Sequence, residues 1–159
     1  MLKLTTDALD AFGFFDPRYT AEMDNSSPEL KWSDPPADCK GYALTFEDLI
    51  NSQNEFTLWV VYAIPESISH LPAGIPPQEI LPNGIRQGLN GFGKLGYAGP
   101  NPAPKDPPHA YRFRLFALNQ ACKIPSRATG KTVLGLIRPH TSEIAELKGR
   151  YQRQLQRAG

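Results

Sequence analysis

The sequence predicts a turn-rich, β-dominated globular fold, and three observations carry that expectation. Proline supplies 16 of the 159 residues, about twice the usual ~5% share, and prolines are excluded from helix interiors and central strands. Two segments, Phe56 to Ile64 and His109 to Leu118, read as strong strands. Finally, 40% of the residues are apolar, enough to bury one core in one domain spanning residues 1–159. Proline plus glycine stay below the ~25–30% that marks a low-complexity chain.

Taken in order, Leu30-Lys31-Trp32 is a short extended segment, and Tyr42 to Phe46 is a strand ending at the acidic pair Glu47-Asp48. Phe56 to Ile64 is apolar on both alternating faces and stops at Pro65, the pattern of a strand in the middle of a sheet covered on both sides. Residues 65–108 hold ten of the sixteen prolines, and residues 84–99 six of the thirteen glycines, a long excursion of turns. It ends at the 109–118 strand, where alternation puts His109, Tyr111, Phe113 and Leu115 on one face. Residues 131–137 predict a short helix that contains Gly135 and stops before Pro139. A C-terminal helix is expected after it, capped by Thr141, with Ile144, Leu147, Tyr151 and Leu155 at spacings of three and four and Arg150, Arg153 and Arg157 toward its end.

Composition removes several classes of function. Lys plus Arg number 17 against 16 Asp plus Glu, so neither nucleic acid nor an anionic membrane finds a sequence-independent electrostatic grip. No apolar run approaches the ~20 residues of a membrane span, and Met1 to Asp7 lacks a signal-peptide stretch, so the expected address is cytoplasmic. Cys39 and Cys122 lack the close spacing of a metal or redox pair and read as free thiols in a reducing compartment. At such an address the sequon Asn25-Ser26-Ser27 is silent. No cofactor is called for.

Two motif matches dissolve on their context. Gly91-Phe92-Gly93-Lys94-Leu95-Gly96 fits GxGxxG, but the residues that follow, Tyr97-Ala98-Gly99-Pro100-Asn101-Pro102, cannot open the helix that a dinucleotide site needs. Gly130-Lys131-Thr132 matches the end of a phosphate-binding loop, but Pro125 stands where its leading glycine belongs. No nucleophile elbow is present. Of the three histidines, His70 lies by proline-rich loop and His140 before the last predicted element; His109 differs because Tyr111 shares its strand face. Such a pair can present donors to an anion at the rim of a sheet, although a lone His near a Tyr is more often structural.

The ordered motifs resemble the phosphatidylethanolamine-binding protein family, in particular its bacterial branch of Raf-kinase-inhibitor-like proteins. The matching segments are Ser27-Pro28-Glu29-Leu30-Lys31-Trp32, Tyr42-Ala43-Leu44-Thr45 leading to Asp48, Trp59-Val60-Val61-Tyr62-Ala63-Ile64-Pro65, Gln87 to Gly93 with Gly96 to Pro102, Pro108-His109-Ala110-Tyr111-Arg112-Phe113, and Ala145 to Tyr151. The resemblance implies an antiparallel Greek-key β-sandwich with a few peripheral helices. It also implies a small anion pocket able to hold a phosphate or a phosphorylated lipid head group.

Carried over by position, Asp48, His109, Tyr111, Gly99 and Pro100 fall on pocket residues of the family, with Gly96 in the same loop. Leu49, Ile50 and Ser52 stand where the family has proline, a second aspartate and a later proline, and Leu58 stands where it has a histidine. The expected pocket therefore loses one carboxylate and one imidazole, and Ile50 and Leu58 make it less polar. Charge-assisted donors are about twice as strong as neutral ones, so the lost imidazole matters to an anion. An Asp48–His109 pair would raise the histidine's pKa and favour its anion-binding form, while Asp48 itself repels phosphate. Two functions stay open: a regulatory or kinase-inhibitor-like module that binds a small anion or phosphorylated head group, or a vestigial pocket with a protein partner docking on the surface or the proline-rich segment 100–108. A homodimer is left open, and no enzyme is expected, since no nucleophile, metal set or oxyanion arrangement is identifiable.

Overall fold

A computed structural model describes residues 1–50 and 55–153. Among the described residues, eight strands form two antiparallel sheets. The smaller contains β1 (Lys3–Thr5), β2 (Leu30–Ser33) and β5 (His70–Leu71), ordered β1-β2-β5. The larger contains β3 (Gly41–Asp48), β4 (Phe56–Pro65), β6 (Arg86–Gln87), β7 (His109–Leu118) and β8 (Thr141–Tyr151), ordered β6-β4-β3-β7-β8. After the turns of residues 66–108, β7 returns to lie beside β3 rather than beside its predecessor, which is the Greek-key connection.

The two sheets share a core in which Leu4, Leu30, Trp32 and Leu71 of the small sheet meet Tyr42, Leu44, Phe46, Trp59, Phe113 and Leu115 of the large one. Trp32 stands edge-on to Tyr42 at 5.5 Å and spends its indole N–H on the Ile68 carbonyl at 3.1 Å. The other face of the large sheet is partly covered by α1 (Gly130–Ile137), whose Val133 and Ile137 pack on Ala43, Val60, Tyr62, Phe116 and Leu118. The Thr129 hydroxyl caps α1 by accepting from the Thr132 N–H. The expectation that the Phe56 strand is central and covered on both sides is met by its place between β6 and β3.

The expected C-terminal helix over 141–155 is overturned: Thr141–Tyr151 is the strand β8, paired with β7 along its length. Leu155 and Arg157 lie outside the described residues. The three-and-four spacing of Ile144, Leu147 and Tyr151 competes with a strict alternation in the same stretch. Ala145, Leu147, Gly149 and Tyr151 face inward, while Glu146, Lys148 and Arg150 face out, and Ile144 is left 49% exposed. Long-range pairing with β7 decides for the period of two. Gly149 is required by close approach rather than by backbone angle, because a Cβ there would stand 2.6 Å from a Leu9 methyl and 2.8 Å from the Phe15 ring.

On the helix-side face, Glu47 is almost fully buried under two arginines. Arg112 donates to one carboxylate oxygen at 3.0 Å, and Arg114 embraces both oxygens at 2.9 and 3.0 Å. Glu55 and the Thr45 hydroxyl complete the network. Burial pushes the Glu47 carboxyl up against the pull of the arginines.

Two substitutions test this packing by urea denaturation. Glu47→Ala leaves two partly buried guanidinium groups with only the more exposed Glu55 still shared between them and is expected to cost about 3–5 kcal/mol. Gly149→Ala forces Phe15 off the sheet and is expected to cost about 1–3 kcal/mol.

Candidate functional site

Asp48 closes β3 and His109 opens β7, and the ladder pairs Asp48 directly with Tyr111. Alternation along β3 sends Tyr42, Leu44 and Phe46 into the core and puts Asp48 at the end of the same face. His109 and Tyr111 lie on the matching face of β7, their rings 6.3 Å apart. Directly opposed residues have Cβ atoms about 4.5–5.5 Å apart, so the carboxylate and the phenol are neighbours. The cluster sits where the core reaches the end of the sheet: Tyr111 is fully buried, while the Asp48 and His109 side chains are 19% and 28% exposed.

Aromatic packing fixes the floor. Phe46 stacks on Phe113 at 4.1 Å and on Tyr97 at 5.7 Å, and Phe15 stands edge-on to Tyr111 at 5.8 Å. Phe15 is held there by backbone bonds between its N–H and the Arg150 carbonyl at 2.9 Å and between the Arg150 N–H and Gly13 at 2.8 Å.

The loop of residues 97–100 is tied down as firmly. The Gly99 N–H donates to the Asn25 side chain at 2.7 Å, Pro100 accepts from the Ala21 N–H at 3.0 Å, and the Tyr97 hydroxyl donates to the Tyr19 carbonyl at 2.6 Å. A Cβ on Gly99 would lie 2.5 Å from the Tyr19 carbonyl oxygen, so only glycine fits. Leu58 is buried in the main core, its carbonyl accepting from the Ala98 N–H at 2.9 Å. Ile50, two residues beyond β3, is 59% exposed, and Ser52 lies outside the described residues.

The electrostatics of the cluster are unbalanced. Asp48 Oδ2 lies 3.6 Å from His109 Nδ1, too far for a hydrogen bond, and Asp106 Oδ2 approaches His109 Nε2 at 3.0 Å. Asp48 Oδ1, His109 Nδ1 and the Tyr111 hydroxyl are buried with no hydrogen-bond partner among the described residues. Burial raises the Asp48 carboxyl, and the neighbouring imidazole only partly offsets it. Burial, reinforced by the Asp48 and Tyr151 charges, drives the Tyr111 phenol far above its ordinary value, so it stays a proton donor.

The match to known proteins decides what this arrangement belongs to. The model of the phosphatidylethanolamine-binding protein family matches residues 5–152. The chain belongs to that family. A UPF0098 protein of Methanothermobacter thermautotrophicus is 35% identical over 152 residues, covering 96% of this chain and 99% of the relative. Escherichia coli YbcL is 34% identical over 139 residues, covering 84% and 75% of the two chains. The crystal structure of YbcL, described as a member of the mammalian PEBP family, superposes with a TM-score of 0.87 at 26% identity, covering 96% of this chain and 99% of that one. A PEBP homologue from Chlamydia trachomatis superposes with a TM-score of 0.83 at 28% identity, covering 96% and 98%.

Within this PEBP-family fold, the structure brings together Asp48, His109 and Tyr111, and places Gly99 and Pro100 at the start of the strap that leads to His109. Sequence reasoning passed over Asp106. Its signal was present in Asp106-Pro107-Pro108-His109, a carboxylate three residues ahead of the imidazole on a proline-stiffened segment. It also passed over Phe15, whose place against Tyr111 depends on a contact across the fold. Among the described residues no cluster of His, Cys, Asp and Glu is suited to a metal ion, and no helix is long and apolar enough to cross a membrane.

The Asp48 shift predicts a pH dependence of stability. Its folded-state pKa lies above the unfolded one, so its contribution is fully present below the unfolded value of about 3.9 and is lost as pH rises through the folded value. Asp48→Asn, which carries no charge, is therefore expected to be more stable than the wild type at neutral pH. That gain should disappear near pH 3 when both are followed by thermal unfolding.

Proposed function

We propose that this protein binds a small phosphorylated head group at the Asp48–His109–Tyr111 cluster and acts through binding, with no chemical step of its own. The observation that supports this most is the set of three buried, unpartnered polar atoms, Asp48 Oδ1, His109 Nδ1 and the Tyr111 hydroxyl, at one end of one face. Each unsatisfied buried polar group costs about 1–3 kcal/mol, and a ligand that supplies the missing partners recovers it. The Tyr111 hydroxyl is a donor for a phosphoryl oxygen, and Asp48 is an acceptor for a protonated phosphoryl oxygen or an N–H. The Gly99-Pro100 turn and the aromatic floor make the walls rigid before any ligand arrives, which lowers the ordering cost of binding.

A second reading is favoured by Leu58. An aliphatic side chain closed into the core supplies no donor, so a pocket built around it gives an anion one contact fewer. On that reading the pocket is vestigial and a protein partner uses the exposed proline-rich strap.

Titration with phosphoethanolamine, followed through the NMR signals of His109 and Tyr111, separates the two. The head-group reading expects saturable shifts in both residues and binding weakened about tenfold or more by Tyr111→Phe or His109→Gln. No shift at millimolar ligand overturns it. Retention of every partner by the double variant Asp48→Ala, His109→Ala supports the surface reading.

A further inference from the structure

Beyond Ser142, the outward row of β8 reads Ile144, Glu146, Lys148 and Arg150, and Ile144 is its one apolar member. It is half exposed, yet it does not stand alone. With Phe116 of β7 and with Leu134 and Ile137 of α1 it walls a cavity of about 360 Å³ on the helix-side face of the large sheet. That volume falls within the roughly 300–1,000 Å³ of small-molecule sites. The hollow lies where α1, eight residues long, ends beside the start of β8. Asp48, His109 and Tyr111 take no part in it, because they lie on the opposite face of the same strands.

The rim of the hollow carries two guanidinium groups, Arg114 and Arg138, against one carboxylate, Glu55. Arg114 spends Nε and Nη2 on Glu47 and lies over the Phe116 ring at 5.2 Å, which leaves its Nη1 without a hydrogen-bond partner among the described residues. Arg138 is exposed at the C-terminal end of α1, where the last carbonyls are a ready partner for a cation. Among the described residues its side chain makes neither an ion pair nor a hydrogen bond, so its charge is not spent on the helix end. Glu55 is held by Arg112 at 2.7 Å and approaches Arg114 only at 3.5 Å. A negative group entering the hollow therefore meets two donors with bonding capacity to spare, beside a wall of aliphatic and aromatic carbon.

We propose that this hollow is a second binding site, for a small aliphatic carboxylate. The carboxylate pairs with Arg138 and with Nη1 of Arg114, and the hydrocarbon chain lies against Phe116, Leu134, Ile137 and Ile144. The single positive charge left over at the rim matches a monoanion, and Glu55 stands against a group of higher negative charge. The site shares no residue with the Asp48–His109–Tyr111 cluster and is independent of the head-group reading.

The experiment titrates octanoate, and octanol as its neutral counterpart, into the wild type, Arg138→Gln and Ile144→Thr. Binding is followed through the methyl NMR signals of Leu134, Ile137 and residue 144. The wild type is expected to show saturable shifts in those methyls and to hold octanoate about tenfold more tightly than octanol. Arg138→Gln is expected to abolish that preference with octanol binding unchanged, and Ile144→Thr to weaken both probes about fivefold. Both side chains are exposed, and an unchanged melting temperature verifies that each variant folds. Absence of saturable shifts at millimolar octanoate overturns the proposal. So does a wild type that binds the two probes equally, or a preference for octanoate that survives Arg138→Gln. Octanoate shifts centred on His109 and Tyr111 overturn it as well, since they put the carboxylate in the other site.

Discussion

The ladder between Gly41–Asp48 and His109–Leu118 is the constraint on which the rest of the structure depends. It runs from Gly41 opposite Leu118 to Asp48 opposite Tyr111 without a register shift. A strand alternates with a period of two, so a slip of one residue would turn Leu44, Phe46, Phe113 and Leu115 out of the core and bring Glu47, Arg112 and Arg114 in. The stacked pair Phe46–Phe113, at 4.1 Å, locks the register from inside, and the Glu47–Arg114 pairing locks it from the other face. The same register delivers Asp48 to Tyr111. Site and core are thus two ends of one pattern.

Adjacent residues on β3 show how differently the fold treats two carboxylates. Glu47, turned toward the helix side, is wrapped by two guanidinium groups and a hydroxyl, and its desolvation is answered by several charge-assisted bonds. Asp48, turned toward the core, has one oxygen with no partner among the described residues and the other 3.6 Å from an imidazole. A fold that can satisfy one buried carboxylate so completely has no structural use for an unsatisfied neighbour. The contrast, more than either residue alone, is what recommends Asp48 for the proposed head-group site.

Much of this was legible in the sequence, and what was missed has physical causes. The strands at 42–46, 56–64 and 109–118 and the helix near 131–137 follow from local pattern and turn chemistry, which one segment carries by itself. The GxGxxG match at 91–96 fell to its surroundings, and the fold makes it a turn in which the Asn90 side chain accepts from the Phe92 and Lys94 N–H groups. The C-terminal element failed because both periods were present in 141–151, and only the partner strand, far away in sequence, chooses between them. Asp48, His109 and Tyr111 were readable by position within a motif. The hold of Asp106 on His109 was not, since it depends on where the strap is anchored.

That anchoring explains why the strap is so rich in proline. Prolines carry no N–H, so the segment from Pro100 to Pro108 can contribute little to a sheet ladder and cannot extend β7 backward over the cluster. Its carbonyls are taken instead by groups outside it, Pro100 by the Ala21 N–H, Pro102 by Arg153 and Asp106 by Gln152. Where the native backbone suits the ring, each proline also removes unfolded-state freedom worth about 0.4–1 kcal/mol. The segment is therefore both kept out of the sheet and held still. Those two properties leave the edge of His109 facing the rim with a carboxylate fixed beside it.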